Sequence, residues 1–259
     1  MLKVIDHVLS AEQARFARSF RSFARLVDKD IGLTMRAEAR LFGVDLAFAT
    51  TPYGKNATSH QRGLKAVRKD IGKVFANPSK VYAEIDRSSQ VASKAFYGLL
   101  VNGNVNEARE ILRRVGGRFK GLPISPLSPE IHQRRRVDGK VDHFRPAVVL
   151  ENSQSRVAYT KHVEKRVGMA KASWVVDLQK LGGLRGVPGW VSKARKSGTG
   201  YIVDKTRGNS PLKGVDFVST IPYIAKNIRS SSVRVALGRR ARMLMRKVDQ
   251  INQKRKRNL

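Results

Sequence analysis

The sequence contains no cysteine, which removes disulfide scaffolds, thiolate-ligated zinc and thiol nucleophiles together. It also lacks any apolar run approaching the ~18 residues of a membrane span. The opening segment MLKVIDHVLS has one lysine, no sustained apolar stretch and no small-residue cleavage site, so it does not read as a signal peptide. Aromatic residues are sparse at 7%, and acidic residues are few: 20 Asp+Glu stand against 52 Lys+Arg, for a formal net charge of +32. So large an imbalance makes free copies repel one another and points to an acidic partner, whether nucleic acid or protein.

What is present is enough for a core. Hydrophobic residues make up 41% of the 259 residues, too many for charge-expanded disorder throughout. The charge is uneven. Residues 1–50 are nearly neutral, with 8 basic and 6 acidic side chains, whereas residues 226–259 hold 12 basic and 1 acidic.

The patterning predicts a mixed α+β chain, mostly helical, with long N- and C-terminal helices, a small antiparallel sheet and an extended basic arm. Ser10 and Gln13 form a capping box, and Phe16, Phe20, Phe23 and Val27 recur at helical spacing. Leu33, Leu41, Val44 and Phe48 continue the pattern, with Gly32 as a candidate bend. Further helices are predicted at 59–75, 80–101 and 105–115. Residues 118–147 hold Pro123, Pro126, Pro129 and Pro146 and the triplet Arg134, Arg135, Arg136. Their weak periodicity reads as an extended arm, with a hairpin signal at Asp138-Gly139. Val163, Val167, Ala170, Trp174, Leu178 and Leu181 predict one helix closed by Gly182-Gly183. Residues 201–203 and 215–218 read as strands, and a last helix runs to about Gln250. The expected domains are a helical region at 1–117, the arm at 118–147, an α+β body at 148–250 and a basic tail at 251–259.

No catalytic, cofactor or metal constellation emerges. The five histidines show neither HExxH spacing nor a local triad; His132 and His143, which flank the arm, could share a metal but read more simply as solvated loop residues. Gly182, Gly183 and Gly186 read as a helix stop rather than a phosphate cradle. The candidate contacts to DNA or an acidic partner are Arg134, Arg135 and Arg136, together with Arg239, Arg240, Arg242, Arg246 and Lys247. The face formed by Arg62, Lys65, Lys69 and Lys73 reads more simply as solvated. Trp174 and Trp190 are the candidate packing anchors. No recognised base-reading module accompanies the charge.

Several patches in order resemble one family. ATTPYG at residues 49–54 and RGLKAVRKDIGKVF at 62–75 are similar to a stretch of virion structural proteins from tailed bacteriophages. So are Arg166-Val167-Gly168 with Lys171, Ala172 and Trp174, then Leu181-Gly182 with Pro188 and Trp190, and LGRRARMLMRKVDQ at 237–250. The resemblance implies a non-enzymatic neck, tail-completion or minor tail protein in the virion, assembled in the host cytoplasm. Its partners would be copies of itself in a ring of six or twelve, the portal-side adaptor and tail tube, and possibly the DNA backbone, with no membrane. The alternative is a basic DNA-binding protein packaged with or acting on the genome.

Overall fold

The computed structural model describes residues 28–137, 140–206 and 214–257. The architecture is mixed α and β and mostly helical, with a long helix near each end of the described chain. It divides into two compact units, residues 1–61 with 167–259, and residues 62–166. This division cuts across the domains expected from sequence. The 118–147 segment lies inside the second unit, and the first unit is assembled from both ends of the chain. The N-terminal capping box and the Phe16 to Val27 stripe lie outside the described residues.

The first unit is built on α1 (Asp28–Ala49) and the C-terminal helix, α11 in chain order (Ser230–Arg257). Helix α1 continues through Gly32. Met35, Val44, Leu46, Ala47 and Ala49 are buried while Leu33 is exposed, so the buried stripe departs from the one read through Leu33. At Gly43 a Cβ would lie 2.6 Å from the ring of Phe217. Glycine there lets strand β7 (Val215–Ser219) lie against the helix. That strand pairs with β6 (Gly200–Asp204) in an antiparallel hairpin, Tyr201 opposite Val218 and Val203 opposite Asp216, as the sequence predicts.

The helix expected over 163–181 is broken. Helix α7 (Ser153–Glu164) ends before Gly168, which adopts φ +96, and the chain resumes as α8 (Met169–Ala172) followed by 3-10 turns at Ser173–Val175 and Leu178–Leu181. The left-handed conformation at Gly168 cannot continue a right-handed helix. Its apolar spacing still marks the inward face: Trp174, Leu178 and Leu181 are buried in a core with Val44, Leu46, Val191, Ile202, Ile221, Ile224 and Val233. The unit also holds α9 (Gly189–Lys193) and α10 (Ile224–Asn227).

The boundary between the units falls within α2 (Ala57–Val74). In the second unit α2 leads into β1 (Phe75–Ala76) and then three helices, α3 (Pro78–Asp86), α4 (Gln90–Val101) and α5 (Val105–Val115). Local chemistry sets their ends. The Asn77 side chain accepts from the Ser79 N–H, and the Ser89 side chain from the Ala92 N–H, satisfying amides that the first helical turn leaves open. Val81, Ile85, Phe96, Leu100, Ala108, Ile111 and Leu112 form the interior of this helical group.

Residues 118–147 are folded rather than an extended arm. They contain β2 (Ile124–Ser125), α6 (Pro129–Arg134), β3 (Arg136–Val137) and β4 (Lys140–Val141). The expected hairpin is present as the β3–β4 pair, Arg136 opposite Val141 and Val137 opposite Lys140. Ile124, His132 and Val141 are buried. The segment is tied down by burial at isolated points, which leaves no periodic signature.

The second unit also has a sheet that the sequence reading did not contain. Strands β1 and β2 flank β5 (Val148–Leu150), and both pairings are parallel. Parallel neighbours need a crossover: α6 and the β3–β4 hairpin lie between β2 and β5, and the longer connection from β1 to β5 also includes α3 to α5. All three residues of β5 are buried, as expected of a central parallel strand.

Candidate interaction surfaces and the clusters that support them

In the first unit, the sequence patches at 49–54, 167–174 and 188–190 meet at the turn that ends α1. The Trp174 Nε1–H donates to Thr50 Oγ1 at 2.9 Å, and that hydroxyl donates to the Leu46 carbonyl at 2.8 Å. The Thr51 amide donates to the Asn227 carbonyl and the Arg229 amide to the Ala49 carbonyl, each at 2.8 Å. Lys171 closes the cluster. It is fully buried, and its Nζ donates to the carbonyls of Ala47 at 2.7 Å and Gly54 at 3.0 Å. The rings of Trp190 and Phe48 lie 5.7 and 6.0 Å from it. Burial pushes the amine down from its ordinary 10.5 to about 7, because desolvation penalises the charged form.

Gly168 explains the placement of Trp190. A Cβ there would lie 2.8 Å from the indole, in a backbone conformation that side chains rarely adopt. The face of the Trp190 ring stacks on His60 with ring centroids 4.8 Å apart. Lys171, which the sequence shows only as part of the resemblance and without a role, is the residue that joins these patches.

The basic C-terminal helix is partly neutralised from within. Arg240 Nε and Arg239 Nη2 each lie 2.8 Å from the Asp45 carboxylate, and Lys247 Nζ lies 2.5 Å from Glu38. Arg240 also approaches Glu38 at 3.5 Å. Glu38 and Asp45 are two turns apart on α1, as are Lys247 and Arg240 on α11, so antiparallel helices bring the pairs into register. Of the five expected contact residues on α11, Arg240 and Lys247 are therefore turned to α1 and Arg239 is shared. Arg242 and Arg246 are exposed.

In the second unit, Arg134 is exposed at the end of α6, Arg135 is half-buried and Arg136 opens β3, 3.4 Å from Asp70. Asp70 on α2 also receives the Val141 amide at 2.7 Å and lies 3.1 Å from His132 Nε2. His132 Nδ1 is 2.9 Å from the Tyr159 hydroxyl. With Nε2–H donating to the carboxylate, Nδ1 accepts from tyrosine. Burial alone would raise the Asp70 carboxyl, but the bonds from His132 and Val141 and the Arg136 charge outweigh it and hold it below its ordinary value. Burial raises the Tyr159 phenol. His132 is thus a buried structural residue, correcting its reading as a solvated loop histidine, whereas His143 is exposed. The cluster fastens α2, α6, β4 and α7 to one another and fixes where the arginine triplet begins.

On α2, Arg62, Lys65 and Lys69 are exposed on one face, while Lys73 Nζ donates to the Val141 carbonyl at 2.8 Å. Helix α4 is the opposite case. Val91, Tyr97 and Val101 are 80, 55 and 67% exposed, and a Cβ at Gly98 would meet nothing within 4 Å. Val91, Lys94, Ala95, Gly98 and Val101 share this face by helical spacing. Lys94 is the one charged residue between Ser88 and Asn106.

Among the described residues, no group of three or more His, Asp or Glu is placed to hold a metal ion, and no helix is long and apolar enough to cross a membrane. No family model, curated protein or solved structure matches the chain.

Proposed function

We propose that this chain is a non-enzymatic structural subunit of a tailed-bacteriophage virion. Its place is the head–tail junction, as a neck, tail-completion or tail-terminator protein. Copies form a ring of six or twelve that joins head and tail, between the portal-side adaptor and the tail tube.

The observation that carries this reading is the outward face of α4. A chain of net charge +32 resists self-association over most of its surface. Here it presents two large apolar side chains, Val91 and Val101, with Tyr97 at its margin, a small-residue gap at Ala95 and Gly98, and a single charge. Exposed apolar area of this kind marks an interaction site, and its near-neutrality suits a second, equally basic copy. The resemblance of the 49–54, 166–174 and 188–190 patches supports the same reading. Their side chains hold one turn in place, a structural use.

The test is the assembly state. Wild-type protein is expected to run as an oligomer by light scattering at micromolar concentration and to be found in purified particles by mass spectrometry. Replacing both Val91 and Val101 with Asp is expected to weaken self-association at least tenfold, about 1.4 kcal/mol, with little change in fold because both positions face solvent. A wild-type monomer that is absent from particles overturns the proposal.

A second reading, DNA binding, is favoured by the Arg62, Lys65 and Lys69 face, whose cations have no intramolecular partner among the described residues. If six or more phosphates are contacted, affinity for duplex DNA should fall roughly a thousandfold between 50 and 200 mM salt. A shallow salt dependence, with oligomers that survive the same salt, leaves the assembly reading standing.

A further inference from the structure

We infer that the outward face of α11 is a docking surface for an acidic amphipathic helix of another protein. Ser231, Val235, Gly238, Arg242, Met245 and Asp249 fall at alternating intervals of four and three residues, the spacing of a helix–helix seam. Val235 and Met245 are 70 and 58% exposed. Ten residues of helix separate them by about 15 Å. Gly238 itself adds no side chain between Val235 and Arg242, and the Arg242 Nη1 lies 3.9 Å from where a Cβ would stand, so an approaching helix meets that guanidinium first.

Arg242, on this seam, and Arg246, beside it, stand one turn apart and have no partner among the described residues. Arg239 lies on the flank, 54% exposed at its side chain although it touches Asp45. The surface is held firm from behind. Val233, Ala236, Leu244 and Val248 are buried, and Arg240 and Lys247 are paired with the α1 carboxylates.

The chemistry of the occupant follows from that inner face. Helix α1 already shows what satisfies α11: carboxylates two turns apart, set against cations two turns apart. On the outer face the cations are one turn apart, so the matching helix carries Glu or Asp at i and i+4. It carries apolar residues about ten apart, to cover Val235 and Met245. A DNA backbone would use the arginines and leave both apolar side chains uncovered. Residues 1–27 of this chain hold five basic and two acidic side chains and do not supply the carboxylates. A second α11 is excluded by its own charge.

The inference rests on the reading of the chain as an assembly subunit, but its test needs no ring. The full-length protein is titrated into three fluorescent probes. One is a 21-residue helical peptide with Glu at i and i+4 and Leu ten residues apart. The others are a scrambled peptide of the same composition and a 20-base-pair duplex. Anisotropy is expected to show the patterned peptide binding at least tenfold more tightly than the scrambled one. Val235→Ser with Met245→Ser, and separately Arg242→Gln with Arg246→Gln, are each expected to weaken it at least tenfold. All four positions are exposed, and circular dichroism confirms that the variants fold. Equal binding of the two peptides, or binding of neither, overturns the inference. So does duplex binding that depends on Arg242 and Arg246 while the patterned peptide is indifferent to Val235 and Met245. A ring that forms without peptide binding removes this inference alone.

Discussion

Replacing Trp174 with alanine is expected to destabilise the first unit by roughly 3–5 kcal/mol, the range for large aromatic truncations in a packed core. Two effects combine. The indole is 3% exposed and packed among Val44, Leu178, Val191 and Ile224, so its removal leaves a cavity the surroundings fill only partly. The Nε1–H also donates to Thr50 Oγ1, and Thr50 is fully buried, so the hydroxyl loses a donor where water does not replace it. Trp174→Phe separates the two, keeping most of the volume and losing the hydrogen bond. Its expected cost is about 1–3 kcal/mol. Urea unfolding followed by far-ultraviolet circular dichroism measures both, since Trp190 would confuse a fluorescence signal. A loss below about 1 kcal/mol for Trp174→Ala would show that the turn at 50–54 is held mainly by other contacts.

That cluster also shows what a sequence can disclose. Trp174, Leu178 and Leu181 are buried as their spacing implies, although the continuous helix inferred from the same spacing is absent. Periodicity reports the face that turns inward. It does not report a left-handed glycine: Gly168 takes φ +96, a conformation open to glycine, and its missing Cβ leaves room for the Trp190 ring. Helices α2 and α5 were legible because their apolar faces coincide with strong local stops, Asn77-Pro78 and Asn102-Gly103, whereas the single helix expected over 80–101 is two, α3 and α4, parted where the Ser89 side chain caps α4. The 118–147 segment was misread because its fixed points are single residues. Ile124 sits in a two-residue strand, His132 in a hydrogen-bonded chain and Val141 in a hairpin, and none repeats. Strands of two or three residues are too short to show alternation.

The charged surface was misjudged for a different reason. A run of cations on α11 looks uniform in sequence, yet one side of the helix is occupied by Glu38 and Asp45. The matching seven-residue intervals, 38 to 45 and 240 to 247, were the available signal. It relates segments nearly two hundred residues apart, and only the antiparallel pairing of α1 with α11 makes it meaningful. The same pairing separates internal cations from those left for a partner, Arg242 and Arg246.

Lys171 gives the second large effect, and its sign is opposite to that of a salt-bridged lysine. The folded-state value of about 7 lies below the ordinary 10.5. Below pH 7 both folded and unfolded chains hold the proton, and the group adds no slope. Between pH 7 and 10.5 the unfolded chain keeps the proton while the folded chain has released it. The unfolded state then binds more protons, so stability rises with pH, by up to about 1.4 kcal/mol per unit. Above 10.5 both are neutral and the slope vanishes. The neutral amine has two N–H bonds, matching the two carbonyls of Ala47 and Gly54 that it serves. Lys171→Met fills similar volume without a titrating group. Denaturation of both proteins from pH 6 to 10 is expected to give curves that diverge above pH 7, the wild type gaining relative to the variant. Taking the difference cancels the titrating groups that the substitution leaves untouched. Parallel curves across that range would mean that Lys171 stays protonated. The ammonium would then be stabilised in place by the two carbonyls and the Trp190 and Phe48 rings, and the turn would be clamped by a permanent buried charge.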